Sequence, residues 1–172
     1  MSFKKILETE RLLLRELVLN DAPFIVELLN TPGWLQYIGD RNVHTREEAH
    51  GYLQAGPLKS YAEHGFGLYL VADRNNEEPL GMCGLLQRDY LPYPDIGFAF
   101  LPQHNGKGLG YEAAHALLDT ATKQWDMTTV GAITLPRNIT SVRLLKKLGF
   151  LFQRAVDSPQ GETLSLYEKQ LS

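Results

Sequence analysis

Apolar and charged residues alternate near the start of the chain, with Leu12, Leu14 and Leu17 set among Glu10, Arg11, Arg15 and Glu16. That period of two predicts a first strand within 8–17. The period then changes. Phe24, Ile25, Leu28 and Leu29 recur at helical spacing behind Asn20-Asp21, an N-cap signal, and Thr31-Pro32-Gly33 predicts the end of that helix. Trp34, Tyr37 and Ile38 fall in a short stretch of no clear period. Thr45-Arg46-Glu47-Glu48 is a capping-box pattern, predicting a helix to about Tyr61 that Pro57 kinks or ends. Runs at 66–72 and 80–86 flank the polar turn 73–78 and predict a hairpin. After the break at Leu91-Pro92-Tyr93-Pro94, a third strand is predicted over 95–101.

The second half repeats the change of period. Residues 111–124 carry Ala113, Ala114, Leu117, Leu118 and Ala121 on one helical face, and 128–135 is β-branched and apolar. Residues 138–148 form a helix with Val142, Leu145 and Leu148 on one stripe, which Gly149 closes. A final hairpin is predicted from 150–156 and 162–171 about the turn 157–161. The order is β-α-α-β-β-β-α-β-α-β-β, an α/β class without internal repeats or low-complexity tracts.

Composition narrows the function classes. At 172 residues without a break in composition, the chain is expected to form one domain over 1–172. A formal charge of −3 with dispersed basic residues argues against a nucleic-acid partner. Cys83 is the only cysteine, so neither an intrachain disulfide nor a cysteine-based zinc site is expected, and in its apolar strand it reads as an inert buried thiol. The five histidines show no metal-ligand pair at helical spacing, and no metal is expected. Neither a signal-length apolar segment at Met1-Ser2-Phe3-Lys4-Lys5 nor a membrane span is visible, which leads to the expectation of a soluble cytoplasmic protein with no membrane partner.

The chain is organised around Gln103-His104-Asn105-Gly106-Lys107-Gly108-Leu109-Gly110, at a strand-to-helix junction. Glycines there let the backbone approach a ligand, and the open N–H groups of the following helix attract anions. The segment therefore reads as a pyrophosphate cradle, with Lys107 adding a cation. It is not a P-loop, because Leu101 stands where the first glycine must be and Gly108 replaces the hydroxyl residue. Nor is it a Rossmann fingerprint, because the last glycine comes one residue early.

What matches is Gln-x-x-Gly-x-Gly as Gln103, Gly106 and Gly108, preceded by Pro102, which resembles the acetyl-CoA-binding motif of the GNAT superfamily of N-acetyltransferases. Asn138-x-x-Ser141 followed by Leu148-Gly149-Phe150 looks like the fourth-helix segment of that family. Thr9-Glu10-Arg11-Leu12, Gly81-x-x-Gly84-Leu85 and Glu112-Ala113 look like its RimJ/RimL branch. The order of elements agrees over nearly the whole chain. The resemblance implies a GNAT fold, with a mixed central sheet of about six to seven strands flanked by about four helices.

It also implies acetyl transfer from acetyl-CoA to a primary amine by direct attack in a ternary complex, the acceptor being a protein N-terminus or a small amine. The cofactor residues it implies are the backbone of Phe98, Ala99 and Phe100, the loop Gln103, Gly106, Lys107, Gly108, Leu109, Gly110 and Tyr111, and Asn138 and Arg143 beyond it. Asp95, in Asp95-Ile96-Gly97-Phe98, is the candidate base. Many members carry a tyrosine seven residues after the asparagine as the acid, but Leu145 stands there, and Ser141 is the candidate substitute. Trp34, Tyr37 and Tyr61 are the candidate acceptor-pocket residues. Dimers are common in the family. The alternative, supported by Leu145 and the short side chain of Asp95, is an acyl-CoA-binding sensor that keeps the fold without turnover.

Overall fold

A computed structural model describes residues 3–171. Met1 and Ser2, part of the stretch read for a signal segment, lie outside the described residues. The strands are β1 (Lys5–Glu8), β2 (Leu12–Glu16), β3 (Leu68–Asp73), β4 (Pro79–Leu86), β5 (Asp95–Phe100), β6 (Thr129–Thr134), β7 (Leu151–Asp157) and β8 (Thr163–Gln170). The helices are α1 (Ala22–Leu29), α2 (Pro32–Tyr37), α3 (Arg46–Ala55), α4 (Pro57–His64), α5 (Leu109–Trp125) and α6 (Ile139–Lys147). The α/β class stands, with one strand and two helices more than the expected upper counts.

Each addition has a local cause. Lys5–Glu8 is too short to show a period alone and becomes a strand by pairing with β2. Thr31-Pro32 does not only end a helix: Thr31 Oγ1 accepts from Trp34 N–H at 3.4 Å, and Pro32 takes the first position of α2, where its missing N–H costs nothing. Pro57 likewise opens α4 after Gly56, rather than kinking one helix. The Thr45–Glu48 capping box forms as its spacing requires. Asp21 departs from its expected use, because its carboxylate forms a bidentate pair with Arg15, at 2.8 and 2.9 Å, and makes no cap bond to α1.

All eight strands form one sheet in the order β1-β2-β3-β4-β5-β6-β8-β7. Every pairing is antiparallel except that between β5 and β6, which are parallel and share the single register position Asp95↔Gly131. The first apolar cluster fills the face under α5 and α6, with Leu12, Leu14, Tyr69, Val71, Cys83, Leu117 and Leu145. The opposite face carries two smaller clusters. One joins Leu70, Ala72 and Met82 to α1 and α3, and the other joins Leu91 and Leu135 to Val156, Leu164 and Leu166 of the last hairpin. Cys83 is wholly buried, and burial pushes its thiol up to about 12. No helix among the described residues is long and apolar enough to cross a membrane.

Gly84 shows how tightly the strands fit. A Cβ there would fall inside contact distance of the Gly67 carbonyl oxygen and Leu68 Cα, both rigid backbone. Gly84→Ala is expected to cost about 3 kcal/mol in urea unfolding, at the upper end of overpacking effects. Gly33→Ala, where nothing lies within 4 Å, is the control and should not lower stability. Equal midpoints for the two variants would contradict this packing.

Candidate active site

The site begins where β5 and β6 stop pairing. Leu101 N–H donates to Leu80 O at 3.0 Å, which fixes the alternation along β5. Residues 97, 99 and 101 turn their backbone groups to β4, whereas Phe98 and Phe100 turn theirs towards the gap beside β6. The three residues expected to face a ligand therefore divide: Ala99 is committed to Met82 of β4. Over the five residue steps from Asp95 to Phe100 the gap runs about 16 Å, closed at Asp95 and open towards the glycine loop.

The loop at the open end is a set of unpaired donors. Among the described residues, no N–H from Gly106 to Tyr111 meets a protein acceptor, and the first bond of α5 is Glu112 N–H to Gly108 O at 3.1 Å. Gly106 and Gly108 both lie at φ +78, the left-handed region that side chains resist. The helix starts at Leu109, two residues earlier than expected, so Leu109, Gly110 and Tyr111 belong to its first turn. Gly110 serves packing as well, since a Cβ there would lie 3.1 Å from Leu144 Cδ2 of α6. Gln103 and Lys107 are exposed, and Tyr111 stacks on His115 beneath Lys147 Nζ, which lies 4.5 Å from its ring centroid. These open amides, with a positive helix end behind them, fit a pyrophosphate group.

Across the gap, α6 starts at the same end, because β6 runs parallel to β5. Asn138 Oδ1 caps α6 by accepting from Ser141 N–H at 3.3 Å. Among the described residues, the Asn138 amide nitrogen and Ser141 Oγ have no protein partner. Arg143 is exposed and forms no ion pair among them, and Leu145 is buried in the core.

Asp95 sits at the closed end, 1% exposed, and is no solvated strand start. Burial raises its carboxyl to about 6, against the opposing pull of Arg88, whose Nε donates to both carboxylate oxygens at 3.0 and 3.2 Å. Arg88 is the residue that sequence reasoning missed. The signal was its place just past the β4–β5 register pair Leu86↔Asp95. Tyr93 covers Gly131 at this end, and its hydroxyl donates to Glu168 at 2.7 Å.

The three acceptor-pocket candidates are not brought together. Tyr61 lies under the α5 face, stacked on Tyr69, accepting from Leu17 N–H and donating to Leu68 O. Trp34 is buried in the cluster of α1 and α3, with no partner for its indole N–H among the described residues. Tyr37 packs with Tyr90 and Tyr93 against the other half of the sheet. Only Trp34 and Tyr37 flank the face onto which Asp95 projects.

A family model for the acetyltransferase (GNAT) domain matches residues 11–151. The chain belongs to the GNAT acetyltransferase family. Its glycine loop, parted strands and capped α6 all lie within the matched residues. The GNAT chain is 28% identical to YkkB of Bacillus subtilis over 99% of its own length and 98% of that protein. It is 27% identical to the N-acetyltransferase YoaA of the same organism over 84% and 82%. Among solved structures, it superposes on an acetyltransferase from Agrobacterium tumefaciens with TM-score 0.82 at 22% identity, covering 98% and 95% of the two chains. RimL, a ribosomal alpha-N-protein acetyltransferase in complex with coenzyme A, gives TM-score 0.83 at 17% identity, covering 98% of each chain. These likenesses support the fold, and the family makes the protein an N-acetyltransferase that uses acetyl-CoA.

Gly108→Glu places a side chain and a negative charge in the cradle at a left-handed φ. Calorimetric titration should show no acetyl-CoA binding by the folded variant. Wild-type affinity in a folded Gly108→Glu protein would remove the loop from the site.

Proposed function

We propose that this enzyme, a relative of the RimJ/RimL branch, acetylates a primary amine, on a protein N-terminus or a small molecule, by direct attack on acetyl-CoA held in the β5–β6 gap. The observation that carries this reading is the single gap with open amides at one end and a buried carboxylate at the other. The loop amides and Lys107, with Gln103 beside them, bind the pyrophosphate end, and Arg143 reaches the phosphates from α6. The Phe98 and Phe100 backbone groups hold the arm that carries the thioester. An N–H fixed at the developing negative charge on the carbonyl oxygen lowers the barrier by about 3 kcal/mol.

The acceptor approaches from the face bearing α1, α2 and the last hairpin, past Trp34 and Tyr37. Its ammonium gives one proton to Asp95, directly or through one water. The nitrogen lone pair then forms the N–C bond and the C–S bond breaks, and the second nitrogen proton passes to the departing thiolate through Ser141 Oγ or solvent, leaving a neutral amide and the free thiol of coenzyme A. Burial places Asp95 where it accepts a proton near neutrality, and Arg88 keeps the ionised carboxylate in place. Two structural neighbours, the alpha-N-protein acetyltransferase RimL and a spermidine N-acetyltransferase chimera, span both acceptor classes.

The test is release of free thiol from acetyl-CoA against a panel of N-terminal peptides and small amines. Because the ionised form of Asp95 accepts the proton, kcat/KM should rise with pH through about 6. Asp95→Asn should lower kcat roughly 100-fold, remove that limb and leave acetyl-CoA affinity within about twofold. An unaltered pH profile in the variant would remove Asp95 as the base. Acetyl-CoA binding with no thiol release on any acceptor would favour the sensor reading instead.

A further inference from the structure

The turn between β1 and β2 grips the glycine loop from a distant part of the chain. Arg11 Nε donates to Glu112 Oε1 at 2.7 Å, and Arg11 Nη1 donates to Lys107 O at 3.0 Å. The other carboxylate oxygen of Glu112 accepts from Arg11 N–H at 3.0 Å and from the Thr9 hydroxyl. Burial works to raise the Glu112 carboxyl, but the bonds from Thr9 and Arg11 outweigh it and hold it below its ordinary value. One guanidinium thus ties together the β1–β2 turn, the loop and the first turn of α5.

We propose that Arg11, fixed by Glu112, is a positioning residue for the cofactor cradle. A trans peptide holds its C=O and N–H in opposite directions. Drawing the Lys107 carbonyl onto Arg11 therefore turns the Gly108 N–H away from Arg11, and that N–H, like its neighbours, has no protein acceptor among the described residues. The same bond keeps a carbonyl dipole from facing an anion. Because Glu112 offsets the guanidinium charge, Arg11 acts by direction more than by attraction. Lysine, a single point donor, cannot make the two divergent bonds.

The inference rests on the acetyl-CoA reading, and its test separates the two. Acetyl-CoA affinity is measured by calorimetry for wild type, Arg11→Met, Arg11→Lys, Glu112→Ala and the double variant Arg11→Met/Glu112→Ala. Amide exchange at 112–114, where the first bonds of α5 anchor the loop, is followed in the same proteins without ligand. Each single variant should bind about tenfold more weakly, and the double variant no more weakly than Arg11→Met, because the two residues act as one unit. Arg11→Lys should not restore affinity, amide exchange at 112–114 should quicken, and kcat at saturating cofactor should stay within about twofold, so that the loss appears in KM.

Wild-type affinity in Arg11→Met would overturn the proposal. So would a double-variant loss equal to the product of the single losses, which would mean that Arg11 touches the ligand independently of Glu112. If wild type itself failed to bind, the acetyl-CoA reading would fall. Exchange at 112–114 would then still decide the clasp, with faster exchange in Arg11→Met supporting it and unchanged exchange refuting it.

Discussion

β5 and β6 are parallel neighbours that meet at one register position, and the backbone groups this leaves without a strand shape the rest of the molecule. Buried backbone donors and acceptors cannot be left empty at no cost; each unmet one costs about 1–3 kcal/mol. A sheet interrupted at its centre must be held open by what surrounds it and filled by water or ligand. Here the holding is done by pairing on both sides, β4 against β5 and β8 against β6. The parallel direction also decides where the helices begin. Each strand runs to the open end and each is followed there by a helix N-terminus, so the positive ends of α5 and α6 face the same opening.

Charge is then divided along the gap. The open end offers N–H groups and exposed cations without side-chain carboxylates among the loop residues, while the closed end holds one buried carboxylate. Asp95 is kept from being an ordinary acid by burial, and from being a permanently neutral one by Arg88. Glu112 is the counterexample close by: it too is partly buried, but three donors from the β1–β2 turn keep it ionised and structural. The two carboxyl groups differ in what surrounds them, and that difference separates a proton acceptor from a clasp.

What could be read in the sequence was what short-range chemistry writes there. The capping box at Thr45–Glu48, the cap at Asn138, the buried Cys83 and the glycine junction all depend on residues within a few positions of one another. The remainder depended on partners far along the chain. β1 exists only by pairing, and Trp34, Tyr37 and Tyr61, alike in composition, were sorted into three clusters by which face and which half of the sheet each met. Arg11 and Glu112 each stood in a noted motif, but nothing local reports that they touch. Ala99 differs from Phe98 and Phe100 only through the alternation that β4 imposes.

The most direct measurement is a crystal structure of the protein with coenzyme A bound. The account predicts the pyrophosphate against the amides of Gly106 to Tyr111, the pantetheine arm in the gap beside Phe98 and Phe100, and the thiol end directed towards the closed end at Asp95. Coenzyme A bound elsewhere, with β5 and β6 still parted and their gap holding only water, would contradict it.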